Sequence, residues 1–91
     1  MERDGAVLVE FYGIPRQRAG LAEIAVSAKS IGEALLAVER ACPGLRGLVQ
    51  DHGQLEPQYL LSINGQQFVS DLQQTLRPGD RLLLLSADAG G

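Results

Sequence analysis

One segment constrains this chain more than any other: residues 30–44, which carry the strongest helical signal in the 91-residue sequence. Ser30-Ile31-Gly32-Glu33 has the form of a capping box. The serine hydroxyl accepts from the backbone N–H of Glu33, and the glutamate carboxylate reaches back. Behind it Ile31, Leu35, Val38 and Cys42 recur at helical spacing, flanked by Ala34 and Ala41, while Glu33, Glu39 and Arg40 fall on the outward face. Pro43 disfavours helix at Cys42 and Gly44 suits a left-handed cap, so the spacing predicts a helix over residues 31–41. Cys42 closes the apolar stripe and reads as a small core filler, not a reactive thiol. One amphipathic helix needs a partner layer for its stripe, and its surroundings read as strand.

Residues 6–12, Ala-Val-Leu-Val-Glu-Phe-Tyr, form a β-branched and aromatic run stopped by Gly13 and Pro15. Residues 16–20 are polar and read as a connecting loop. Residues 21–26 place Ile24 and Val26 on one face and Glu23 on the other, a half-buried strand paired as a hairpin with the first. Beyond the helix, residues 45–57 are irregular, with Leu45, Leu48 and Val49 expected beneath the sheet. Residues 59–63 alternate as a strand, and the turn dipeptide Asn64-Gly65 leads into a strand over 66–69. Leu72 and Leu76 anchor a short helical or extended turn. Arg77-Pro78-Gly79-Asp80 suits a type II turn. Residues 81–85, Arg-Leu-Leu-Leu-Leu, read as a strand covered on both faces or central to the sheet. With the first and last strands side by side at its centre, this order is an α+β, β-grasp roll: a mixed sheet of four to five strands packed on one main helix. The domain is expected to span residues 1–86, with residues 87–91 as a flexible tail.

Composition removes most catalytic chemistry. One cysteine and one histidine cannot build a disulfide framework, a Cys/His zinc cage or an iron–sulfur site within one chain. A β-grasp ferredoxin is thereby excluded. His52 sits in a polar loop and reads as a solvated side chain, not a base. The net charge of −3 and four aromatic residues argue against a nucleic-acid partner. The sequence contains no apolar run approaching a membrane span, and residues 1–5 lack the form of a signal peptide, so the expected location is cytoplasmic. No catalytic residue, metal ligand or bound cofactor is expected.

One feature is left unexplained by folding: the final pair Gly90-Gly91. At an average glycine frequency of about 7%, such a terminal pair arises by chance in about 0.5% of chains. Together with Phe11-Tyr12 followed by Gly20, the helix end Ala41-Cys42-Pro43-Gly44-Leu45, Leu61-Ser62-Ile63-Asn64-Gly65, and the run from Leu76-Arg77-Pro78-Gly79-Asp80 to Leu84, it resembles the MoaD/ThiS family of ubiquitin-like sulfur carriers. The likeness to the molybdopterin synthase small subunit covers nearly the whole chain. It departs at Ser86-Ala87-Asp88-Ala89, where many of those subunits carry a proline.

The resemblance implies a C-terminal Gly91 that an E1-like adenylyltransferase activates with ATP and magnesium. A persulfide sulfurtransferase then leaves a thiocarboxylate on Gly91, which delivers sulfur to an acceptor such as the molybdopterin synthase large subunit. Gly90 and Ala89 would thread the partner's channel. Tyr12, Phe68 and Leu85 match the family's docking patch, with core packing as the alternative for each. The same tail would serve a protein modifier conjugated through Gly91, although Lys29 is the only lysine, and a plain β-grasp interaction module is the third class. Molybdopterin, thiamine and other sulfur acceptors remain open.

Overall fold

The computed structural model describes residues 6–87, in the order β1 (Ala6–Phe11), α1 (Ile14–Ala19), β2 (Glu23–Ser27), α2 (Ile31–Ala41), β3 (Tyr59–Ile63), β4 (Gln67–Phe68) and β5 (Arg81–Ser86). The five strands form one mixed sheet in the order β2-β1-β5-β3-β4. The apolar run of β5 lies at its centre, parallel to β1 and antiparallel to β3. The fold is the expected β-grasp.

Strand alternation sends Val7, Val9 and Phe11 of β1, Leu82 and Leu84 of β5, and Tyr59 and Leu61 of β3 to one side of the sheet. There they meet Ile31, Ala34, Leu35 and Val38 of α2, all fully buried, with Cys42, Leu45 and Leu48 extending the cluster. The apolar stripe of the helix and the inward sets of the strands thus make one core. At about 25 cal/mol per Å² of apolar surface, burial of this layer is the main force holding helix to sheet.

The start of α2 shows how the chain satisfies a helix terminus. Ser30 Oγ accepts from Glu33 N at 3.2 Å, as the capping box requires. The N–H groups of Ile31 and Gly32 donate to the carbonyls of Gln74 and Leu72 at 3.0 and 2.7 Å. The turn that carries the buried Leu72 and Leu76 is therefore a lid on the otherwise unsatisfied donors of α2. The Glu33 carboxylate reaches one residue further than a standard box, accepting from Lys29 N at 2.8 Å.

Three local expectations are corrected. Residues 16–19 are not a loop but the greater part of α1. Pro15 stands in the first helical turn, where its missing N–H costs nothing, and Gly20 caps the end in the left-handed region, its N–H donating to Arg16 O at 3.0 Å. Gly44 is not a left-handed cap; it lies in a short 3-10 turn, Pro43–Leu45, where a Cβ would run into the carbonyl oxygen of Arg18. Glycine there lets α1 pack on that turn. Ala41 is exposed and does not flank the core. β5 is central to the sheet as expected, and its second face, carrying Leu83 and Leu85, is half-buried because the one long helix covers the opposite face.

Other local readings hold. Asn64 and Gly65 both have positive φ, 54° and 68°, in the three-residue 64–66 connection between β3 and β4, and Gln66 N donates to Ile63 O at 3.0 Å across them. Asp80 N donates to Arg77 O at 3.0 Å across the Pro78-Gly79 turn. Cys42 is buried, and desolvation raises its thiol pKa above the ordinary 9.0. His52 is exposed. No helix among the described residues is long and apolar enough to cross a membrane.

Candidate functional site

The face of the sheet turned away from α2 is where the sequence-predicted docking residues fall. Register fixes their arrangement. Leu85 stands opposite Leu60, and Leu83 opposite Ser62, which in turn faces Phe68. Tyr12 N donates to Leu84 O at 3.0 Å, continuing the β1–β5 ladder by one residue and setting Tyr12 beside Leu85. The outer face therefore carries two adjoining rows, Tyr12-Leu85-Leu60 and Leu83-Ser62-Phe68.

None of the three predicted residues lies in the core. Phe68 is 67% exposed and Tyr12 42%, while Leu85 is half-buried. Leu60, 37% exposed, connects Leu85 to Phe68 and was not singled out from the sequence. Its signal lay in the alternation of β3, which turns Tyr59 and Leu61 inward and Leu60 outward. An open groove of about 270 Å³ runs beside the patch, lined by Leu55, Pro57, Leu60, Phe68 and Val69 among others. Apolar surface grouped in this way on one sheet face is what a protein partner covers.

A polar edge holds the aromatic end of the patch. Tyr12 Oη donates to Glu10 Oε1 at 2.7 Å, and the other oxygen of that carboxylate is paired with Arg81 Nε at 3.2 Å. The hydrogen bond to Glu10 raises the phenol pKa above the ordinary 10.0, with smaller contributions from desolvation and the negative charge of Glu10. Tyr12 therefore presents a neutral phenol at physiological pH, its hydroxyl tied back to the sheet.

The same region is where the chain leaves the fold. Tyr59 stands opposite Ser86, and Ala87 N donates to Gln58 O at 2.8 Å, so the backbone is held to β3 through residue 87. Arg18 Nη1 donates to Tyr59 Oη at 2.6 Å, bringing α1 against this exit. Ala89, Gly90 and Gly91 lie outside the described residues. Among the described residues, no group of three or more His, Cys, Asp or Glu side chains is placed to hold a metal ion.

No protein-family model matches the sequence, and no curated protein matches it. Solved structures do. The chain is similar to SAMP1, the small archaeal modifier protein 1 of Haloferax volcanii, at 25% identity and a TM-score of 0.81, over 96% of this chain and 100% of that one. It is similar to a chain of the BexX/CysO complex of Amycolatopsis orientalis at 24% identity and a TM-score of 0.78, covering 93% and 99%. It is also similar to a chain of the complex between subunits 1 and 2 of molybdopterin-converting factor from Helicobacter pylori, at 22% identity and a TM-score of 0.65, covering 94% and 99%. The likeness to ubiquitin-like carriers and modifiers read from the motifs is thus present in the backbone as well.

Proposed function

We propose that this chain is a ubiquitin-like sulfur carrier that acts through the carboxylate of Gly91, in the cytoplasm. An E1-like adenylyltransferase, using ATP and magnesium, converts that carboxylate to an acyl-adenylate. The terminal sulfur of a persulfide sulfurtransferase displaces AMP to give an acyl disulfide. A second thiol cleaves it by forming a disulfide with the donor's cysteine, and the thiocarboxylate so released donates sulfur in cofactor biosynthesis, molybdopterin being the first choice. An ionised carboxylate, with a pKa of about 3.5, is a poor electrophile, which is why activation must precede sulfur transfer. A thiocarboxylate is a good sulfur nucleophile at neutral pH.

The observation that carries this reading is the placement of the exit from β5. The central strand delivers the chain at Ala87, beside an exposed apolar face formed by Tyr12, Leu60, Leu85 and Phe68. A partner seated on that face is within reach of the tail: residues 87–91 span up to roughly 17 Å when extended. Gly90 and Gly91 have no Cβ to obstruct a narrow channel, and Ala89 adds only a methyl group. Similarity to one member of a two-subunit molybdopterin-converting factor supports an acceptor synthase subunit as partner. The chain itself supplies no catalytic group in this scheme.

The second reading, a modifier joined through Gly91 to lysines of other proteins, is favoured by the similarity to a small archaeal modifier protein. It shares the adenylation step and differs in the nucleophile that follows. The test is ATP–pyrophosphate exchange by a cognate E1-like adenylyltransferase. Exchange should require this chain and be lost on deletion of Gly91. Exchange without the chain, or undiminished by the deletion, would refute adenylation at Gly91.

A further inference from the structure

We propose that the free edge of β2 pairs antiparallel with β2 of a second copy of this chain, about a two-fold axis at Ala25. β2 is the outermost strand of the sheet, with β1 on one side and, among the described residues, no strand on the other. Phe11 N donates to Ala22 O at 2.9 Å, which sets the phase of the β1–β2 ladder. In an antiparallel pair the hydrogen-bonded positions alternate, so Ala22, Ile24 and Val26 turn their backbone groups towards β1. Glu23, Ala25 and Ser27 turn theirs to the open side. The opposite edge, β4, has two residues and offers no comparable ladder.

Exposed edges are ordinarily blunted by proline, lysine, a bulge or a covering loop. β2 has none of the first three. Its five residues are Glu-Ile-Ala-Val-Ser, and its register with β1 runs unbroken from Ala6–Ser27 to Glu10–Glu23. Its sequence is also self-complementary in the antiparallel sense. Pairing about Ala25 sets Ala25 against Ala25, Glu23 against Ser27 and Ile24 against Val26 of the second copy. The two Glu23 carboxylates never face one another, and small residues meet on the axis. Ile24 and Val26, half-buried at the rim of the core, gain a cross-strand apolar neighbour each. Extending the register brings the exposed Leu21 opposite Lys29, whose aliphatic stem can cover it. The product is one continuous sheet, with the Tyr12-Leu60-Phe68 face of each copy still open. A contact of five residues per copy belongs to the small, transient class of interfaces.

Sedimentation velocity on the full chain over a concentration series tests this. The mass should rise from 9.7 kDa towards twice that value as concentration reaches the high micromolar range. Ala25→Lys places two ammonium groups face to face on the axis and should weaken association at least tenfold, with the thermal transition unchanged. Ala25→Pro should act likewise, because the N–H it removes points away from β1. Hydrogen exchange on the unaltered chain is independent of any variant: the amides of Glu23, Ala25 and Ser27 should slow with increasing concentration. A monomer at every concentration, a dimer indifferent to both substitutions, or protection confined to the Leu60–Phe68 face would each overturn the proposal.

Discussion

Replacing Ser30 by alanine isolates one hydrogen bond at the start of α2. Three N–H groups of the first turn are satisfied locally: Ile31 by Gln74 O, Gly32 by Leu72 O, and Glu33 by Ser30 Oγ. The substitution removes only the third. Loss of such a cap costs about 0.5–2 kcal/mol. The bond is exposed and 3.2 Å long, and its two neighbours are held by the 72–76 turn, so the expected cost is about 1 kcal/mol. An unfolding entropy of about 2.1 cal/mol/K per residue over 91 residues gives about 0.19 kcal/mol/K, so Tm should fall by about 5 °C. Calorimetry, with a urea titration showing an unchanged slope, measures both quantities. No shift in Tm would show that the Glu33 N–H does not depend on Ser30. A loss above about 3 kcal/mol would exceed any cap and mean that the 72–76 turn detaches with it.

Gly44→Ala should cost about 1–3 kcal/mol or more, since the new methyl meets the backbone carbonyl of Arg18 and α1 must move off the 43–45 turn; a denaturant midpoint within error of the parent would refute that contact. Phe68→Ala should change stability by less than about 0.5 kcal/mol because the ring is 67% exposed, while titration calorimetry should register weaker binding to the activating enzyme. Unchanged affinity would remove Phe68 from the docking face. The Tyr12 phenol should ionise above 10.0 in an ultraviolet pH titration, and Glu10→Gln should bring the midpoint down. Because its folded-state pKa is raised, its contribution to stability is present below about pH 10 and lost as pH rises through the folded value.

The parts of the fold that were legible in the sequence are those whose cause is local. The bounds of α2 follow from a cap and a stripe lying within fifteen residues. The central place of β5 follows from an apolar run that only a sheet interior accommodates. α1 was missed because Gly13, Pro15 and Gly20 punctuate a turn and a short helix equally well. With Pro15 alone fully buried, its six residues carry no stripe for periodicity to detect. Gly44 was misread because its constraint is a backbone 26 residues away. The proposed docking face was legible in part. Alternation in β3 separates Tyr59, Leu61 and Ile63 from Leu60 and Ser62, whereas β5 carries leucines on both faces, and alternation alone does not say which of those a single helix leaves uncovered. Leu82 and Leu83 are interchangeable on that basis, and only pairing with β1 and β3 and packing on α2 separate them.

The central claim is that the reactive atom of this protein is the terminal carboxylate carbon of Gly91. Intact mass spectrometry tests it directly, after incubation with a cognate E1-like adenylyltransferase, ATP, magnesium, a persulfide donor and a thiol reductant. The chain should gain the mass difference between one sulfur and one oxygen. A variant lacking Gly91, or carrying one alanine after it, should fold with the same Tm and gain nothing. An unmodified chain in the presence of an active partner enzyme would contradict the account, and so would equal sulfur gain in the chain lacking Gly91.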